Sequence, residues 1–150
     1  MQTDIQLQGF ESEPFLERIG VRSRFLIPFA ESFETLVQNY ASRYMGLTST
    51  AESRLDATLV DIGGPLNFKD QLGNFNTMSG PMKSDQVSQF IQLLEDEDDE
   101  LPDVGLYVDI DYWITPQKQL KSVDILKTIR AFAQAAWTRS DQIQTLVFGG

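Results

Sequence analysis

Cysteine and histidine are both missing from the 150 residues, and with them go several familiar kinds of enzyme site. A chain without thiols or imidazoles builds no disulfide framework, thiol nucleophile, Ser-His-Asp relay or usual zinc site. Any catalysis would rest on carboxylates, Lys, Tyr or a hard, oxygen-bound metal. Positive charge is scarce as well: 12 Lys and Arg stand against 22 Asp and Glu, a net charge of −10. That balance opposes nucleic acid, which is bound when Lys and Arg displace counterions. It suits solubility or a basic protein partner. No apolar run reaches the roughly eighteen residues of a membrane span. The start, M-Q-T-D-I-Q-L-Q-G-F, has neither the basic nor the apolar section of a secretory signal. The expectation is a cytoplasmic protein with no membrane or nucleic-acid partner.

What is present suffices for one domain, since 150 residues with 41% hydrophobic content can bury a real core. The clearest element is Val104 to Ile114, V-G-L-Y-V-D-I-D-Y-W-I. Its alternation places Val104, Leu106, Val108, Ile110, Tyr112 and Ile114 on one face of a strand, and Tyr107, Asp109, Asp111 and Trp113 on the other. Glu17 to Pro28 alternates similarly, with Ile19, Val21, Ser23, Phe25 and Ile27 opposite Arg22, Arg24 and Leu26, and Pro28 ends the ladder. Asp4 to Phe10 reads as a short edge strand. Leu66 to Met78 has the look of a hairpin broken at Gly73.

Helical spacing appears twice. Phe33, Leu36, Val37, Tyr40 and Tyr44 share a face between Glu31 and Met45, with Gly46 as the stop. Ser122 caps a second helix through Trp137 along Ile125, Ile129, Phe132, Ala133 and Ala136. Leu47 to Arg54 reads as a loop, and Leu55 to Ile62 and Asp141 to Phe148 as further strands. Ser84 begins a helix to about Leu94, or a short strand. Together these predict an α+β fold: a mostly antiparallel sheet with two main helices on one face.

The halves echo each other. R-S-R-F-L-I-P at Arg22 to Pro28 resembles D-I-D-Y-W-I-T-P at Asp109 to Pro116, and T-L-V-D-I-G-G at Thr58 to Gly64 resembles T-L-V-F-G-G at Thr145 to Gly150. Two readings stand: a duplicated β-α-β unit, residues 17–64 and 104–150, or the chance likeness of two ordinary arrangements. Duplication would place Arg22 and Arg24 in one sheet with Asp109 and Asp111. Opposite charges across a ladder contribute roughly 0.2–1 kcal/mol a pair, enough to fix register.

Two groups of acids are candidate sites. Asp109 and Asp111 have the h-D-h-D spacing with which strand carboxylates hold magnesium for phosphoryl or nucleotidyl transfer. The Gly-rich support expected beside such a pair is missing, and pairing with Arg22 and Arg24 is the favoured role. The run Glu95, Asp96, Glu97, Asp98, Asp99, Glu100 lacks the glycine of an EF-hand loop and reads as a solvated loop or a docking surface for a basic partner. Gly63-Gly64-Pro65 is a turn, since no Lys-Ser or Lys-Thr pair follows to make a phosphate loop. No metal and no cofactor is expected.

R-I-G-V-R-S-R-F at Arg18 to Phe25, with the helix after it, resembles the R-h-G-h-R-Y-h-N strand and helix of a sporadically distributed bacterial family of uncharacterised proteins. V-D-I-D-Y-W at Val108 to Trp113 is similar to that family's closing h-D-h-D-h strand and helix. Ser23 and Phe25 stand where the family motif has Tyr and Asn. The resemblance implies the same fold, a bacterial cytosolic setting and a short form or piece of a longer chain, and it transfers no catalytic residue. The acidic charge and the missing catalytic side chains make a non-catalytic, acidic protein-interaction module of immunity, antitoxin or assembly type the favoured function. The alternatives are a magnesium-dependent transferase using Asp109 and Asp111, and a self-assembling structural protein, a homo-oligomer.

Overall fold

The computed structural model describes residues 2–5, 16–47, 50–86 and 102–150. Five strands form one sheet: β1 (Gln2–Ile5), β2 (Ile19–Pro28), β3 (Gly64–Lys69), β4 (Asn74–Lys83) and β5 (Val104–Ile114), in the order β1-β2-β5-β4-β3 with every pair antiparallel. The fold is α+β. β5, last of the strands along the chain, lies at the centre between β2 and β4, and its apolar alternation explains why: Leu106, Val108, Ile110 and Tyr112 are all fully buried.

One face of the sheet is covered by helices. α1 (Phe33–Asn39) starts at Ser32, whose Oγ accepts the Thr35 amide 3.1 Å away. It continues as a π-helical turn, Tyr40–Tyr44, and Gly46 ends the unit at φ +65°. Widening the turn carries Tyr40 and Tyr44 onto β4. The Tyr40 hydroxyl donates to the Ser79 carbonyl at 2.9 Å, and Tyr44 lies 3.5 Å from the Thr77 hydroxyl. Burial pushes the Tyr40 phenol up to about 12.

The long helix α3 (Ser122–Phe148) follows the short α2 (Thr50–Leu55) and the strands β3 to β5 in the chain. It buries Ile125, Ile129, Phe132, Ala136, Ser140, Ile143 and Val147 in 3.6-residue spacing. Its last turn is tied down by Arg43, which donates to the Val147 carbonyl at 3.3 Å, and Gly149 closes it at φ +78°.

Four expectations are corrected. Asp141 to Phe148 is not a strand but the last two turns of α3, because Ile143 and Val147 continue the buried face begun at Ile125. Thr138 does not break that helix, since its hydroxyl donates back to the Gln134 carbonyl at 3.0 Å. The cap of α3 is the backbone of Lys121, not the Ser122 side chain.

Leu47 to Arg54 contains α2 in place of an uninterrupted loop, and Leu55 to Ile62 is not a strand. There Asp56 turns left-handed at φ 48°, the Leu59 amide donates to Glu52 Oε1 at 2.7 Å, and Leu55 and Val60 are 76% and 77% exposed. With no neighbour to cover both faces, that segment has no ladder to join. The second strand of a β-α-β unit is therefore missing among the described residues of 17–64 and from 104–150, so the echo shows as strand and helix only. The edge strand occupies Gln2–Ile5. The remainder of that stretch, the helix expected beyond Gln86 and the run Glu95 to Glu100 lie outside the described residues.

Candidate functional site

Because side chains alternate along β2 and β5, their arginines and aspartates share the face turned away from the helices. The register sets Arg22 opposite Asp111 and Arg24 opposite Asp109. The bridges run diagonally as well as straight across. Arg22 Nη2 donates to Asp109 Oδ2 at 2.6 Å and its Nε to both carboxylate oxygens at 3.0 Å. Arg24 Nε reaches Oδ2 at 3.4 Å, and the Tyr107 hydroxyl donates to it at 2.8 Å. Asp109 is only 4% exposed. Its burial is made tolerable by this shell of donors, which offsets the lost hydration. Hydrogen bonding to Asp109 pushes the Arg22 guanidinium up, and Tyr107 is raised by burial and then by its bond to the same carboxylate.

Asp111 is held by a residue that pairing straight across the ladder does not predict. Arg18 Nη2 donates to Asp111 Oδ2 at 2.7 Å, and its guanidinium lies over the Trp113 ring, 5.1 Å from the centroid. Gly20, opposite Trp113 in the register, lets the indole lie close. A Cβ there would come 3.1 Å from the Tyr112 carbonyl oxygen and 3.4 Å from Trp113 Cβ. R-h-G-h-R and h-D-h-D-h-W are thus two halves of one interlock: the arginines grip the aspartates and the glycine seats the tryptophan. The signal for Arg18 was available, since it shares the face of Arg22 and Arg24 by parity, but it precedes the strand.

This geometry gives the two carboxylates a structural task. A divalent cation at Asp109 would have to displace Arg22, and the guanidinium charges around it would repel the ion. Among the described residues no group of three or more acidic side chains is arranged to hold a metal. No helix among them is long and apolar enough to cross a membrane.

A second polar cluster, missed in the sequence, joins three elements on the helix side. Asp70, in the β3–β4 turn, accepts the Tyr112 hydroxyl at 2.8 Å and Arg139 Nη2 at 3.1 Å through Oδ2. Its Oδ1 takes the amides of Leu72 and Gly73. Burial raises this carboxyl, but the bonds from Tyr112, the Leu72 amide, Arg139 and the Gly73 amide outweigh it and leave the group below the usual carboxylate range. Arg139 also donates to the Tyr112 hydroxyl at 3.3 Å and to Gln142 at 2.9 Å, and lies over Phe75. The cluster pins the hairpin turn to α3. A groove of about 560 Å³ beside it is lined by Leu72, Ala131, Ala135 and Thr138.

No family model, curated protein or solved structure matches this chain.

Proposed function

We propose that the chain is a non-catalytic protein-interaction module, of the immunity, antitoxin or assembly type, which acts in the bacterial cytoplasm and meets a basic partner through Glu95 to Glu100. One observation carries this reading: the charge is segregated. Glu95 to Glu100 are six consecutive acids, and no Lys or Arg occurs between Lys83 and Lys118. Asp109, by contrast, is buried and matched by arginines. Those six acids outnumber half of the net charge of −10. A block of one sign attracts an opposite surface over about a Debye length, roughly 8–10 Å at ordinary salt.

The test replaces Glu95 to Glu100 by Gln and Asn and compares capture of host proteins with the unaltered chain at low and high salt. The replaced chain should capture its partner more weakly and with a flatter salt dependence. Equal capture by both chains would overturn the reading.

A further inference from the structure

The β3 edge of the sheet has an internal logic of its own. In the β3–β4 hairpin the Asp70 amide donates to the Gly73 carbonyl at 2.9 Å, and Lys69 lies opposite Asn74. The alternation of an antiparallel ladder then turns the backbone groups of Gly64, Leu66 and Phe68 toward β4, and those of Pro65, Asn67 and Lys69 outward. Pro65 thus occupies a position where its missing N–H costs the hairpin nothing. The outward inventory is two donors, the amides of Asn67 and Lys69, and three acceptors, the carbonyls of Pro65, Asn67 and Lys69. Among the described residues no strand takes them up, since β3 is the last strand of the sheet.

The side chains on the helix side end just as openly. Phe68 stacks on Phe75, Phe75 on Tyr112, and Tyr112 on Phe132, with centroids 4.9, 4.7 and 5.4 Å apart and ring planes within 24° of parallel. This four-ring stack runs from beneath α3 to the edge, where Phe68 is 42% exposed.

We propose that this edge is a self-association site: β3 pairs antiparallel with β3 of a second copy, about a twofold axis at Asn67. In that register the two Asn67 residues exchange both amide bonds, and each Lys69 amide donates to Pro65 of the second copy. Every outward donor is used. On the helix side, Phe68 meets Leu66 of the second copy, so the aromatic stack continues into an apolar contact across the axis. Neighbouring registers are worse. Centring on Lys69 sets two ammonium groups opposite each other, and centring on Pro65 opposes two residues that cannot donate. The partner is therefore a second copy of this chain, joined through an isologous contact.

Sedimentation equilibrium of the full chain, unaltered and as Asn67→Pro, tests this. Proline at 67 removes only an outward N–H and no bond of the hairpin itself, which an unchanged far-ultraviolet circular dichroism spectrum would show. The unaltered chain should dimerise, and Asn67→Pro should weaken the dimer by about tenfold or more, since two interchain bonds are lost. As the chain has no cysteine of its own, Asn67→Cys gives a reading that does not depend on the proline variant. The facing Cα atoms would lie about 5.5 Å apart, within disulfide reach. Mild oxidation should link that variant much faster than a control with Val60→Cys. An unaltered chain that stays monomeric at high concentration, or equal linking of the two cysteine variants, would overturn the proposal. A monomeric chain from which Asn67→Pro removes capture of a different protein would also overturn it, by assigning the edge to a foreign strand.

Discussion

Asp109 shows how one side chain can carry a register. Its oxygens receive Arg22, Arg24 and Tyr107, so a slip of β2 against β5 by one residue would turn both arginines to the other face and leave a buried carboxylate with Tyr107 alone. Replacing Asp109 by Asn keeps the shape but leaves two guanidinium groups facing a neutral amide. Breaking a buried pair costs about 3–5 kcal/mol, and the half-exposed Arg22 can rehydrate. We therefore expect a loss of about 2–3 kcal/mol, read as a lower urea midpoint at an unchanged slope.

Asp70 yields a dependence on acidity. Its folded-state value is held below the ordinary carboxylate range, so on acidification the unfolded chain takes up this proton first. The stability it confers is present above the unfolded value and is lost as pH falls through the depressed folded one. Urea midpoints across the acid range should fall less steeply for Asp70→Asn than for the unaltered chain. Parallel curves would show that the turn carboxylate is not responsible.

At the scale of elements, β2 and β5 were legible because an apolar period of two, sustained along the whole of each segment, fits a strand and suits neither a helix nor a loop. The face bearing the arginines and aspartates was legible for the same reason. Where bonds cross that face was not, because diagonal reach depends on sheet twist and on Gly20 making room for Trp113. The end of α3 was misread because Thr138, Arg139 and Ser140 resemble a polar break. Ser140 in fact stands in the buried face, where its small side chain fits. Leu55 to Ile62 looks like a strand by composition, yet strands need neighbours, and composition does not supply one. The cluster of Asp70, Tyr112 and Arg139 joins residues as far as 69 positions apart and left no local pattern.

The hairpin turn offers a sharp test at this scale. A Cβ at Gly73 would lie 2.6 Å from Ile114 Cγ2 and 2.7 Å from the Trp113 carbonyl oxygen. Gly73→Ala must push the turn off the central strand and disturb the amide that caps Asp70. A destabilisation of about 1–3 kcal/mol is expected from thermal or urea unfolding.

For the molecule as a whole, the arginines and the acids are distributed differently along the chain. Arg18, Arg22, Arg24 and Arg139 are used within the fold, on Asp111, Asp109 and Asp70, whereas the six acids of Glu95 to Glu100 stand together in the sequence. The proposed contact at β3 would multiply an interaction made through those acids, because two copies joined at that edge present two acidic runs to one partner.

The position of β5 has a consequence for how the protein is made. The strand that both halves of the sheet need is the last of the five to leave the ribosome. Until Ile114 has emerged, β2 and the β3–β4 hairpin have no common neighbour in the sheet. The aspartates that set the register therefore come from the last strand to be made, and the helix that covers it follows them.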